Sequence, residues 1–136
     1  MPATLPVDVS QLRSLLADLS RFGGLEHVES TGSTNRDLAR WAASPEAAAS
    51  DGGGRILVSE HQSAGRGRFD RVWEAPPRAS LALSVLIWPG REPADWTWLP
   101  LLAGLAVLRG VRDSSALGTA LESRLSLKWP NDVLVT

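Results

Sequence analysis

An α/β (α+β) fold, with helices packed on one face of a mixed sheet, is what this 136-residue sequence predicts. Three patterns carry that reading. Leu81, Leu83, Val85 and Ile87 alternate with smaller or outward residues, which is the period of a strand over about 80–88. Arg55 to Glu60 forms a compact apolar run after the triple glycine 52–54, and a second strand is expected over 56–60. Leu102, Leu105 and Leu108 recur at helical spacing, predicting a helix over about 98–111.

The remaining elements follow in order. Val9, Leu12, Leu15, Leu16 and Leu19 give one apolar stripe, so a first helix is expected over about 9–21, ended by Gly23-Gly24. A short strand follows over 25–29. A helix over 34–43 then places Leu38, Trp41 and Ala42 on one face. Residues 47–54 are expected as loop. Residues 61–79 form a longer one, closed by Pro76-Pro77, and a loop of that length in a compact domain usually has a function. Pro100 is tolerated because it falls in the first turn of its helix. Residues 126–128 and 133–135 supply the last two strands. The sequence has no internal repeat and no low-complexity run.

Composition narrows the function classes. With 43% apolar and 21% charged residues the chain can bury a core, covering about two-thirds of its extended-chain surface. A net charge of −1 gives no broad basic field for DNA. No apolar run reaches the length of a membrane span, and Met1 to Thr4 lack the pattern of a secretion signal. The absence of cysteine excludes a disulfide framework and suits a cytoplasmic setting.

Residues 60–73, EHQSAGRGRFDRVW, are the most informative stretch. Gly65 and Gly67 lack the Cβ atoms that would keep the backbone from wrapping closely round a ligand. Arg66, Arg68 and Arg71 set three guanidinium groups beside that backbone, a match for carboxylate or phosphate. GRGR alone fits a solvated surface loop or a nucleic-acid contact equally well. A second stretch, Leu127 to Val135, contains Lys128, the only lysine among 14 basic residues. A compact ammonium fits a tight pocket as a planar guanidinium does not, with chance retention as the alternative. Pro130 stiffens the following turn, and Asn131-Asp132 add an amide and a carboxylate.

STGSTN at 30–35, EHQSAGRGR at 60–68, Trp73 and KWPNDVLV at 128–135 resemble the biotin protein ligase family in type, order and spacing. The resemblance runs from about Leu25 onward. It implies a class II synthetase-like biotin/lipoate ligase catalytic domain over 25–136, with 1–24 as a short helical extension. It also implies a two-step reaction. Biotin and MgATP give biotinyl-5′-AMP and pyrophosphate, and the acyl group then passes to one lysine of a biotin carboxyl carrier protein domain.

Carried onto this chain, the family's biotin-reading positions are Ser33, Thr34, Asn35 and Gln62. These are uncharged hydrogen-bonding groups suited to a neutral ureido head. Gly65, Arg66, Gly67 and Arg68 match the loop over the junction of biotin carboxylate and α-phosphate, where cations relieve the repulsion of two anions. The resemblance makes Arg68 and Lys128 the catalytic candidates. It puts Arg71, Trp73, Asn131 and Asp132 on the nucleotide side, with Trp73 against the adenylate, and assigns no metal ligand. Each position has a plainer alternative. Thr34 could cap a helix with Asp37 three residues on, Gln62 could be a loop amide, and Trp73 a loop anchor. His27 and His61 stand apart from any triad partner, and biotin's own carboxylate is the nucleophile.

The pattern departs from the family in two places. Phe69-Asp70-Arg71 stands where the family often repeats its glycines, and Asp70 alters the loop's charge. The sequence also stops at Thr136, before the family's second active-site lysine, its later nucleotide segment and its small β-barrel. A front portion of the catalytic domain, inactive alone, is the resulting expectation. Twenty-four leading residues are too few for the DNA-binding winged helix of some members, so a ligase without a repressor role is expected, and a homodimer stays open. A lipoate–protein ligase and a non-catalytic biotin-binding remnant are the rival readings.

Overall fold

The computed structural model describes residues 6–15, 22–50, 53–67, 71–114 and 123–136. It divides into two compact units, Met1–Trp88 and Pro89–Thr136.

In the first unit, helix α1 (Val9–Leu15) precedes strand β1 (Phe22–Val28), helices α2 (Thr34–Ala42) and α3 (Pro45–Ala48), and strand β2 (Gly54–Ser59). A two-residue hairpin follows, β3 (Gly65–Arg66) and β4 (Val72–Trp73), and then β5 (Ala82–Leu86). The main sheet runs β1-β2-β5. β1 lies parallel to β2, with Leu25 opposite Ile56 and Val28 opposite Ser59. β5 lies antiparallel to β2, with Arg55 opposite Leu86 and Ser59 opposite Ala82. The sheet is therefore mixed, as expected.

β2 holds the centre because its apolar run suits a strand flanked on both edges. Ile56, Leu57 and Val58 are all buried, Val58 completely. Leu57 sits opposite Ser84 and shares its sheet face, the face that α2 covers with its buried Leu38. At the open rim of the same face, the Arg55 guanidinium lies 4.7 Å from the centre of the Trp41 ring and pairs with Glu26 at 2.9 Å.

Four local expectations need correction. Gly23-Gly24 lie inside β1 instead of ending a helix, and the pairing irregularity between Phe22 and Leu25 falls on them; residues 16–21 of the expected first helix lie outside the described residues. Helix α3 begins at Pro45 and runs into the expected 47–54 loop at Ala47 and Ala48, because Ser44 caps it, accepting the Ala47 N–H at 3.4 Å. The Glu46 carboxyl there is held below its usual range by its own backbone amide and the Ser44 side chain. The expected 61–79 loop contains the β3–β4 hairpin, Gly65 pairing with Trp73 and Arg66 with Val72. The alternation over 80–88 also has its faces reversed. Leu81, Leu83, Val85 and Ile87 are all more than 40% exposed, while Ser84 is 7% exposed.

In the second unit a 3-10 turn (Pro93–Trp98) leads into α4 (Leu99–Asp113), followed by the antiparallel strands β6 (Leu125–Lys128) and β7 (Asp132–Val135). Of the expected stripe of α4, Leu108 is buried and Leu105 half-buried, while Leu102 is 55% exposed and Gly104 is buried instead. The helix packs closely on the hairpin at Gly104, where a Cβ would lie 2.7 Å from Asn131 Cα and 3.0 Å from Leu127 Cδ1. The Trp129-Pro130 peptide in the β6–β7 turn is cis. Among the described residues, no helix is long and apolar enough to cross a membrane.

Candidate functional site

The two motif segments of the first unit run side by side. Residues 30–35 leave the end of β1 and enter α2, while 60–65 leave the end of β2. Parallel strands joined by a crossover bring such ends together, the usual place for a ligand in α/β sheets. The Thr31 amide donates to the His61 carbonyl at 3.1 Å, Ser63 to Thr31 at 2.9 Å and Ala64 to Gly32 at 2.9 Å. The Ser30 hydroxyl meets His61 Nδ1 at 3.0 Å. The backbone is thus zipped where both recognition motifs lie.

Side chains complete the junction. Ser33 is the N-cap residue of α2, but its hydroxyl caps nothing; Thr34 is the first helical residue, so the expected capping by Thr34 is corrected. The Thr34 amide has no partner within the helix. Gln62 Oε1 accepts it at 2.9 Å and accepts the Thr34 hydroxyl at 3.1 Å. Asp37 receives the Thr31 hydroxyl. On β5, Ser84 Oγ lies 2.8 Å from Thr34 Oγ1 and 2.6 Å from Asn35 Oδ1.

The Ser84 hydroxyl faces two acceptors, Thr34 Oγ1 and Asn35 Oδ1, and Thr34 passes its own hydroxyl proton to Gln62. Gln62 keeps its N–H donors for a ligand, and the Asn35 carbonyl keeps a second lone pair.

Above the network lies an open pocket of about 340 Å³ lined by Ser33, Thr34, Asn35, Gln62, Arg66 and Trp73, with Ala75 and residues 80–84. Six sequence-predicted residues therefore meet in one cavity. Gly65 does not line it but makes its wall possible. A Cβ there would lie 2.5 Å from the Trp73 carbonyl oxygen and 3.3 Å from Gln62 Nε2. Gly67 is less constrained, with Arg71 atoms no nearer than 3.5 Å to a Cβ. Its N–H donates to the Arg71 carbonyl at 2.7 Å, which ties the base of the hairpin tip. Arg68 lies outside the described residues. Lys128, Asn131 and Asp132 belong to the second unit, where Lys128 Nζ stands 3.8 Å from Asp132 Oδ2 across the β6–β7 turn, both side chains exposed.

Ser84 is the site residue that sequence reasoning missed. Its signal was a hydroxyl in a strand where Leu81, Leu83, Val85 and Ile87 all share the other face. Replacing Ser84 with alanine should destabilise the chain by about 1–3 kcal/mol, because it strands buried polar neighbours. Urea denaturation checks this, and an unchanged midpoint would show that the network is not needed for folding. Among the described residues no group of three or more His, Cys, Asp or Glu side chains could hold a metal.

Known proteins are similar to this chain in sequence and in fold. The chain is 45% identical over 131 residues to a biotin–[acetyl-CoA-carboxylase] ligase of Mycobacterium tuberculosis, covering 95% of this chain and 47% of that protein. It is 33% identical over 82 residues to the bifunctional ligase/repressor BirA of Bacillus subtilis, covering 60% of this chain and 23% of the relative. The chain thus spans about half or less of these relatives' length. Crystal structures of the biotin protein ligase of Leishmania major, in complex with biotin and with biotinyl-5-AMP, superpose with TM-scores of 0.63 and 0.62 at 28% and 29% identity. Each covers 83% of this chain and 47% of the other. Residues 30–136 match the sequence profile of the biotin/lipoate A/B protein ligase family. This chain belongs to that family.

Proposed function

We propose that this chain carries the biotin-recognition part of a biotin protein ligase. The carrying observation is the neutral network of Asn35, Ser84, Thr34 and Gln62 under a pocket walled by Arg66 and Trp73. A ureido head has one carbonyl acceptor and two N–H donors. Gln62 presents donors and Asn35 an acceptor, so the network complements that head without charge. Ser33 adds a hydroxyl unused by the helix. Arg66 and Arg68 would meet the anionic carboxylate tail.

In the first step, the biotin carboxylate oxygen attacks the α-phosphorus of ATP. A carboxyl–phosphate bond forms, the bond to the bridging oxygen breaks, and pyrophosphate leaves. In the second, a lysine amine of the carboxyl carrier domain attacks the acyl carbon and AMP departs. Charge grows at the α-phosphoryl oxygens in the first step, and fixed guanidinium groups stabilise it best. Magnesium takes its ligands largely from phosphate oxygens and water, so it would arrive with ATP. Arg71, Trp73, Lys128, Asn131 and Asp132 are assigned to the nucleotide side. Residues 25–136 are assigned to the N-terminal part of the catalytic domain, and a cytoplasmic enzyme is the corresponding setting. Of the two roles in the Bacillus subtilis relative's name, only ligation is proposed.

Titration calorimetry with biotin and with lipoate tests the reading. Biotin should bind and lipoate should not, because lipoate has no ureido group for Gln62 and Asn35. Equal binding, or binding of lipoate alone, would overturn it. In a complete enzyme carrying this domain, Arg68→Ala should slow adenylate formation about ten- to hundredfold, the loss of one charge-assisted contact of about 1.5–3 kcal/mol. Pyrophosphate exchange within twofold of the parent would remove Arg68 from that role.

A further inference from the structure

Glu60 stands immediately before the loop that walls the pocket, and its carboxylate is almost wholly buried, with 7% of the side chain exposed. A charge at such a position must be held by directed partners. Oε1 takes His27 Nε2 at 3.0 Å and the Val7 amide at 3.3 Å. Oε2 faces Arg78 Nε at 3.7 Å. The Glu60 carbonyl accepts the Arg78 N–H at 3.2 Å. These partners come from the segment before α1, from β1 and from the far end of the loop.

Arg78 has a φ of 62°, and among the described residues it alone has a positive φ without being glycine. A non-glycine residue keeps that conformation only where its surroundings impose it. Here the Pro76–Ala79 turn imposes it, closed by the Ala79 N–H on the Pro76 carbonyl at 3.0 Å. The Glu60 carbonyl takes the Arg78 N–H of that turn, so the loop over 61–78 begins and ends at one residue. Gln62 lies two residues beyond the clasp, and its side chain holds the otherwise partnerless Thr34 amide.

We infer that Glu60 is a positioning residue for ligand binding, clasping both ends of the pocket loop and thereby fixing where Gln62 presents its amide. The inference rests on the biotin reading for the ligand, though not for the clasp itself. Nothing in the sequence patterns singled out Glu60, His27 or Arg78 for this purpose.

The test uses Glu60→Gln, which keeps the volume and removes the charge, in the 136-residue chain. The first readout is amide exchange by NMR at Thr34, whose protection depends on Gln62. It should rise at least about tenfold in rate, while Leu57 and Val58 in β2 keep wild-type rates; a tenfold change corresponds to about 1.4 kcal/mol. The second is biotin affinity, expected to weaken about tenfold. If the Glu60 variant fails to fold, Arg78→Pro serves instead, since proline has no N–H and cannot adopt a positive φ. The same rise at Thr34 is expected there. Unchanged exchange at Thr34 in the folded variant overturns the clasp, and faster exchange with unchanged biotin affinity overturns the positioning role. Wild-type chain that binds no biotin would instead sink the biotin reading, leaving Thr34 exchange to decide the clasp.

Discussion

Gly65→Ala should weaken biotin binding by up to about a hundredfold, more than any single loss of a polar contact at the pocket rim. The added methyl would lie 2.5 Å from the Trp73 carbonyl oxygen and 3.3 Å from Gln62 Nε2. Neither neighbour is the far end of a flexible chain in open solvent. The first is backbone within the β3–β4 pair, and the second belongs to an amide whose oxygen is already engaged twice. Overpacking of this kind costs about 1–3 kcal/mol, and 3 kcal/mol is two decades of affinity. The hairpin is a small part of the first unit, so the thermal midpoint should fall only slightly. Calorimetry on the folded variant decides the matter. Parental affinity would mean that the hairpin wall plays no part in binding.

The largest effect on stability is expected at Leu57→Ala, at about 2–5 kcal/mol. Leu57 is 4% exposed in the central strand, between Glu26 on β1 and Ser84 on β5. Truncation leaves a cavity between sheet and α2 that neither neighbouring strand can fill by sliding, because both are fixed to β2 by backbone pairing. A domain is stable by only about 5–15 kcal/mol, so a large part of the population could unfold at room temperature. Urea titration followed by tryptophan fluorescence gives the number. A loss below about 1 kcal/mol would show that Leu57 is not the centre of the core.

The pocket was legible in the sequence to the extent that its groups sit in short contiguous motifs. Ser33, Thr34, Asn35, Gln62, Arg66 and Trp73 all line it, and each is a position that the family resemblance implies. The β2 run and the α2 helix agree with the sequence reading within two residues of their ends, because burial on both sides of a strand and a helical spacing of apolar residues leave local signatures. Ser84 was not legible for a definite reason. A period of two says that a strand has two different faces, but not which one a helix will cover. Here α2 covers the face with the small hydroxyl. The alternation therefore puts Leu81, Leu83, Val85 and Ile87 on one face, and in the structure that face stands half exposed. On α4, Leu105 and Leu108 keep the expected face, and only Leu102 gives way to Gly104. A glycine carries no hydrophobic signal, yet it marks the closest approach of helix and hairpin. Glu60 and Arg78 lay beyond reading because their pairing depends on the loop's return, 18 residues later.

The joining of Thr34 to Gln62 and of Asn35 to Ser84 also has a consequence in time. The first link closes a separation of 28 residues and the second one of 49. Closing such separations costs entropy before any contact repays it. A chain emerging from its amino terminus would have the STGSTN segment early, but no oriented amide at Gln62 until β2 had paired with β1. The network would stay without its last member until β5 had been added. The capacity to recognise a ligand is thus among the last properties the first unit acquires, and a partly made chain that had reached only Trp73 would carry nearly every recognition residue without the Ser84 hydroxyl that joins Thr34 to Asn35.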